Sequence, residues 1–399
     1  MREDSLKLYY NLKVWKLFFL LFPLITPSQL ALQTLFGNSI GSYILMLFRL
    51  WNIVSILVVV FAMLSKQRLE KYCVLILLFC IILIFSTLLQ EDVSLTYIVR
   101  SLGSTSMLFF LSGFYKHEEF IYYLQAIYYT LTIHSFFAAS TIYLYYPNGI
   151  GMENYYLYGL DNISFIYAFY GFAVGFVYNL VAYKKLKSSF SIIYIFIAGA
   201  YLYAKTGTGT AIILICIMFV VIYKRNFLKK IDYRTTLIIC VLMFLFFVVV
   251  QQFGFVNNIF LSLGKDSTLN GRTRIWEVGL SVIREHWLLG IGISDTVISQ
   301  YLKSAGLVWK IEIGHLHNIV LEILCRGGIL AFGIFIGLWI KAYKKMQKNS
   351  GHIISYTLNI LIVLSWLICM FEFRITMYPF WFLLILAYHV QDLIYLYHK

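Results

Sequence analysis

Charge is scarce in this sequence. Asp, Glu, Lys and Arg together fill 13% of its 399 residues, against about 25% in an average soluble domain. Hydrophobic residues reach 61%, above the roughly 45–50% of soluble proteins. That balance excludes a water-soluble enzyme and a disordered chain. Cysteine is sparse as well, and all six (Cys73, Cys80, Cys216, Cys240, Cys325 and Cys369) lie inside apolar runs. With no CxxC and no Cys/His metal spacing, a disulfide scaffold is excluded, and the thiols read as small packing residues. There is no Asp-x-Asp and no Gly-x-x-x-x-Gly-Lys, which argues against metal-dependent use of nucleotide sugars and against ATP hydrolysis. The cationic start before Leu17 lacks an A-x-A type cleavage site, so it reads as an uncleaved first span. Internal repeats are also lacking.

What is present in quantity is apolar sequence. One membrane-spanning helix takes about 20 apolar residues, and apolar stretches occur near 15–36, 40–64, 71–89, 95–115, 120–146, 163–183, 190–205, 208–223, 235–256, 317–340, 353–371 and 375–396. The expected fold is therefore an all-α polytopic membrane protein of about twelve transmembrane helices, a single integral-membrane domain over 1–399. The net charge of +14 could suggest nucleic acid, yet 21 of the 32 Lys and Arg fall on alternate connections and at the two ends. That alternation is the signature of cytoplasmic loops. It places both termini in the cytoplasm of a multi-pass cell-membrane protein, makes the lipid bilayer its first partner and leaves nucleic acid without a role.

One connection, 257–316, is far longer than the others and falls on the outer face. Long loops in tight proteins are usually functional. Its charges nearly cancel, so it is not a polybasic arm. Trp276, Leu280, Ile283 and Trp287 recur at helical spacing, with Arg274, Glu277, Ser281, Arg284 and Glu285 opposite. This pattern predicts an amphipathic helix suited to the membrane interface, or a lid packed on the bundle. Arg272 and Arg274 stand close to its start, where backbone N–H groups favour anions, and a guanidinium fork can hold phosphate oxygens bidentately. The loop ends at Gly314-His315-Leu316-His317-Asn318. An imidazole there is either a polar interfacial anchor or a general base; two histidines without a nearby third ligand do not make a zinc site. Asn318, Glu322 and Arg326 then follow at i, i+4 and i+8, so Glu322 either neutralises Arg326 or faces substrate. Arg100 sits six residues into its helix, about 9 Å deep, and Arg49 lies within another span; ionisable groups at such depth are functional candidates. The 32 tyrosines and 34 phenylalanines are compatible with sugar stacking, although most are packing or lipid-facing.

The ordered set Gly271-Arg272 with Trp276, Gly290-Ile291-Gly292, and His315 to Gly328 resembles the O-antigen ligase and polymerase family of membrane glycosyltransferases. The resemblance is sharpest over 270–335, with a weaker echo at Gly159-Leu160-Asp161-Asn162. It implies a polyprenyl-diphosphate-linked oligosaccharide as substrate, no cofactor and no metal, with a flippase and a chain-length regulator as partners. By that resemblance Arg272 holds the donor diphosphate and His317 acts on the acceptor hydroxyl, as the catalytic pair. Arg274 and His315 are neighbours able to share those roles, and Asn318 and Glu322 join them as substrate-binding candidates. Where relatives carry a second arginine, this chain has Lys205-Thr206-Gly207-Thr208-Gly209-Thr210; Lys205 is the expected replacement, and Arg100 a further one. The reading favours a polymerase of lipid-linked repeat units, with a ligase, a lipid-linked oligosaccharide transporter and a membrane O-acyltransferase as alternatives.

Overall fold

The computed structural model describes residues 2–65, 70–89, 95–206, 233–245, 272–307, 314–376 and 378–399, with residues 2–11 and Tyr233 by backbone alone. The expected span at 208–223, Gly207 to Thr210, Cys216 and the loop stretches 257–271 and 308–313 lie outside the described residues.

The architecture is α-helical. In chain order the helices are α1 (Arg2–Leu21), α2 (Gln29–Phe36), α3 (Asn38–Leu64), α4 (Lys71–Leu88), α5 (Leu95–Phe114), α6 (Phe120–Tyr145), α7 (Asp161–Tyr183), α8 (Ser188–Tyr203), α9 (Tyr233–Phe244), α10 (Arg272–Glu285), α11 (Asp295–Ser304), α12 (Ile319–Lys348), α13 (Ile353–Cys369), α14 (Pro379–Tyr388) and α15 (Val390–His398). A two-residue hairpin, β1 (Tyr155–Tyr156) against β2 (Gly159–Leu160), precedes α7. By length and apolarity α3, α4, α7 and α12 can each cross a membrane, and α8, α9 and α13 are shorter apolar helices. Among the described residues two bent pairs extend the set to six: Leu12–Leu24 with α2, meeting at 95°, and α14 with α15, at 68°. The chain is thus a helical membrane protein, and α3 is mostly exposed along its length while α7 is almost wholly enclosed.

The five described cysteines are free and buried, as their apolar settings require. The first bend follows from its residues. Pro23 and Pro27 flank the break, and proline removes a helical N–H donor; Ser28 then restarts the chain by accepting from the Ala31 N–H at 3.0 Å. The carbonyls freed there are met by side chains: His134 Nε2 lies 3.0 Å from the Phe22 oxygen, and Asn52 Nδ2 donates to that of Pro23 at 3.3 Å.

A second discontinuity positions the site. Helix α12 is interrupted at Gly328, whose φ of 61° is left-handed, a conformation open mainly to glycine. The interruption exposes backbone groups that dock the loop after α10. The N–H groups of Ile291 and Gly292 donate to Cys325 and Arg326, and the Ile329 N–H donates to Trp287. A Cβ on Gly290 would collide with the Cys325 carbonyl oxygen, so the Gly-Ile-Gly segment is there to let two backbones meet.

Candidate functional site

The buried face of α10 overlaps the expected one in part, with Trp276 buried and Ile283 packed beside it. Ile275, Trp276, Gly279 and Val282 are buried, while Leu280 is 38% and Trp287 60% exposed. The helix is rotated because Trp276 Nε1 donates to the Leu316 carbonyl at 2.9 Å and Gly279 leaves room for the Leu316 side chain. The expected polar side, from Arg274 to Glu285, is exposed. The rotation draws the 314–318 turn against α10 and carries Arg272 to the same place.

That turn is fixed from below. Leu316 donates its N–H to Glu322 Oε2 at 2.8 Å, and Glu322 Oε1 accepts from Arg326 Nε at 3.1 Å. Arg326, 1% exposed, further donates to the carbonyls of Gly292, Ser294 and Gly314 and to Asp295 Oδ1. Of the two readings of Glu322, the geometry is that of the ion pair, with both carboxylate oxygens occupied. Asn318 caps α12, its Oδ1 accepting from Val320 and Leu321. Between these anchors His317 holds a left-handed backbone, φ 58°, uncommon for a residue with a side chain.

The two histidines converge on a carboxylate from another part of the chain. Glu372, in the turn after α13, lies 3.2 Å from His315 Nε2 through one oxygen and 3.2 Å from His317 Nδ1 through the other. Arg272 Nη2 reaches the second oxygen at 3.4 Å. Burial alone would raise the Glu372 pKa, but the charge of His317 and the hydrogen bonds from both rings outweigh it and hold the carboxyl well below its usual range. An ionised carboxylate only accepts hydrogen bonds, so both ring nitrogens facing it carry protons. In a neutral His317 this leaves Nε2 with a free lone pair, the tautomer a general base needs. His315 is pushed well below the usual imidazole range by its burial, assisted by His317 and Arg374 and opposed by Glu372.

These shifts have a consequence for stability. Both groups bind protons less readily when folded, so their contribution is present above the unfolded pKa and lost as pH falls towards the folded one. His315 acts first, from about pH 6.5 downwards, and Glu372 below about pH 4.3. Melting curves of wild type and His315→Asn across pH 8 to 5 are expected to show a steeper acid loss in wild type; parallel curves would contradict the placement.

Two site residues escaped the sequence reading, Glu372 and Arg374. They are the only Asp, Glu, Lys or Arg between Lys348 and Asp392, and that isolation was the available signal. Arg374 lies within electrostatic range of His315, and its buried Nε has no hydrogen-bond partner among the described residues. Arg274 is exposed on α10, and Lys205, exposed at the end of α8, makes no ion pair with the cluster among the described residues. Its neighbour Thr206 donates to Asp161 at 2.8 Å, so the echo at Gly159 to Asn162 and the Lys205 segment do meet. Arg100 lines a separate cavity.

A metal site has to be weighed here, because the ligand atoms of His315, His317 and Glu372 lie within 4.8 Å of one another. Three such ligands are the number a catalytic zinc requires. A cation there would displace both ring protons and face the Arg272 guanidinium on the same carboxylate. As the side chains stand, Arg272 Nη2, His315 Nε2 and His317 Nδ1 share the carboxylate, while Arg272 Nε and His315 Nδ1 have no partner among the described residues.

Residues 190–336 match the family described as O-Antigen ligase, a segment that contains Arg272, His315 and His317. A stretch of 101 residues is 27% identical to the exopolysaccharide production protein ExoQ of Rhizobium meliloti (strain 1021), covering 24% of this chain. The match spans only 23% of that protein's length. The matched segment and the weaker likeness to ExoQ agree: over residues 190–336 this helical, apolar chain is similar to the O-antigen ligase family.

Proposed function

We propose that this protein is a polymerase joining polyprenyl-diphosphate-linked oligosaccharide repeat units on the outer face of the cytoplasmic membrane, in polysaccharide assembly. The observation that carries the reading is the His317–Glu372 pair beside Arg272: a base with a fixed tautomer next to a cation able to take a developing phosphate charge. In the reaction an acceptor sugar hydroxyl attacks the anomeric carbon of the donor. A new glycosidic C–O bond forms, the bond to the diphosphate breaks, and polyprenyl diphosphate leaves with the electron pair. His317 Nε2 takes the hydroxyl proton, and Glu372 stabilises the imidazolium that results, as carboxylates do in other base-orienting pairs. Arg272 stabilises the leaving diphosphate. A ligase, using the same residues on a different acceptor, is the nearest alternative.

Arg374 takes the place of the second arginine expected around 205–210. It lies within electrostatic range of His315 with its Nε unpartnered among the described residues, whereas Lys205 is exposed at the end of α8. Measured as glycan transfer from a polyprenyl-diphosphate donor, Arg374→Gln is expected to lose about 100-fold or more in rate, within the range for removing one charge-stabilising donor. Lys205→Ala should stay within a few-fold of wild type. The reverse order would return the role to Lys205.

A further inference from the structure

Beside the site, and separate from its histidines, lies a polar cavity of about 160 Å³ lined by Leu24, Asn52, Tyr97, Arg100, Ser101, Ser104, Thr376 and Tyr378. It opens where the first span is broken, and discontinuous helices are where membrane proteins place sites for charged ligands. Its walls join it to the catalytic cluster: Thr376 and Tyr378 follow Arg374 in one turn, and Tyr97 donates to Asp295, the partner of Arg326. Among the described residues Arg100 is poorly satisfied, with a buried Nε lacking a hydrogen-bond partner and a single 3.5 Å contact from Nη2 to Thr26. Its charged neighbour is another cation. Arg49 of α3 lies within electrostatic range of Arg100, and neither has a carboxylate within ion-pair distance among the described residues. Arg49 is exposed on the mostly uncovered α3, among exposed apolar side chains including Tyr43, Met46, Leu47 and Leu50.

Two neighbouring guanidiniums without an acid, one in a cavity and the other on the apolar outer surface, call for an anion that arrives along the bilayer. We propose that Arg100 and Arg49 hold the phosphate headgroup of a second lipid-linked molecule, the glycan acceptor, while Arg272 and Arg374 serve the donor. The volume, equal to about five waters at 30 Å³ each, admits a phosphate group. The hydroxyls of Ser101, Ser104 and Tyr378 supply hydrogen-bond donors around it. This assignment of acceptor and donor rests on the polymerase reading; the existence of a second phosphate site does not.

The test counts bound lipid by native mass spectrometry of the full chain in phosphatidylcholine nanodiscs titrated with polyprenyl diphosphate. Wild type is expected to hold two copies, Arg100→Gln one and Arg272→Gln one, while Arg100→Lys keeps two. Should Arg100→Gln fail to fold, Arg49→Gln, altered on the exposed face, is expected to weaken the second copy about 10-fold. Two copies retained by a folded Arg100→Gln, or a single wild-type copy removed by Arg272→Gln alone, would overturn the proposal. A single copy removed by Arg100→Gln but not by Arg272→Gln would support the cavity and overturn the donor site instead. Equal displacement of the cavity-bound copy by inorganic pyrophosphate would overturn the lipid as its ligand.

Discussion

Replacing His317 by asparagine is expected to lower glycan transfer by about 10²- to 10⁴-fold, the usual worth of a positioned general base, with the folded protein recovered in normal yield. Asparagine is the informative choice because position 317 has a left-handed backbone, which asparagine tolerates better than alanine; a loss of rate is then a loss of the imidazole. Glu372→Gln should fall between this variant and wild type. The amide presents one acceptor oxygen where the carboxylate presents two, so one histidine loses its partner and the imidazolium formed during reaction loses its counter-charge. The two variants together separate the base from the group that orients it. His317→Asn retaining more than a tenth of the wild-type rate would remove the imidazole from the chemistry.

The largest effect on stability is expected at Arg326. Arg326→Met keeps much of the stem volume but strands the Glu322 carboxylate, 1% exposed, and withdraws donors from the carbonyls of Gly292, Ser294 and Gly314. Breaking a buried ion pair from one side typically costs about 3–5 kcal/mol. Unfolding in mixed detergent micelles should show a loss of that order, and transfer should fail with it because the docked loop carries the 314–318 turn. A Glu322→Leu, Arg326→Leu double variant is expected to recover only part of the loss, since the three carbonyls remain without donors. Arg326→Met within about 1 kcal/mol of wild type, below the usual cost of even one unsatisfied buried group, would contradict the role given to this residue.

Local spacing carried much of this into the sequence, and long-range pairing did not. Glu322 and Arg326 are four residues apart, and their pairing follows from helical geometry alone. Glu372 meets His315 and His317 across 57 and 55 residues, and nothing in the loop itself points to it. For that reason the histidines could be read as candidates for a base without their carboxylate being found. The packed face of α10 departs from the apolar period at Leu280 and Trp287 for a related cause: a hydrogen bond from Trp276 to Leu316 and the small Gly279 decide which side packs. Arg100 was legible as a cation too deep to ignore. The break that opens its cavity was signalled only by Pro23 and Pro27, which sit inside an otherwise continuous apolar run.

The central claim, that this chain lengthens lipid-linked glycans, is tested most directly by purified protein reconstituted with a single polyprenyl-diphosphate-linked repeat unit in the presence of EDTA. Products are resolved by length. A ladder of lipid-linked oligomers, made by wild type and absent with His317→Asn, is the expected result; no product longer than the starting unit, from protein shown to be folded and to bind it, would contradict the account.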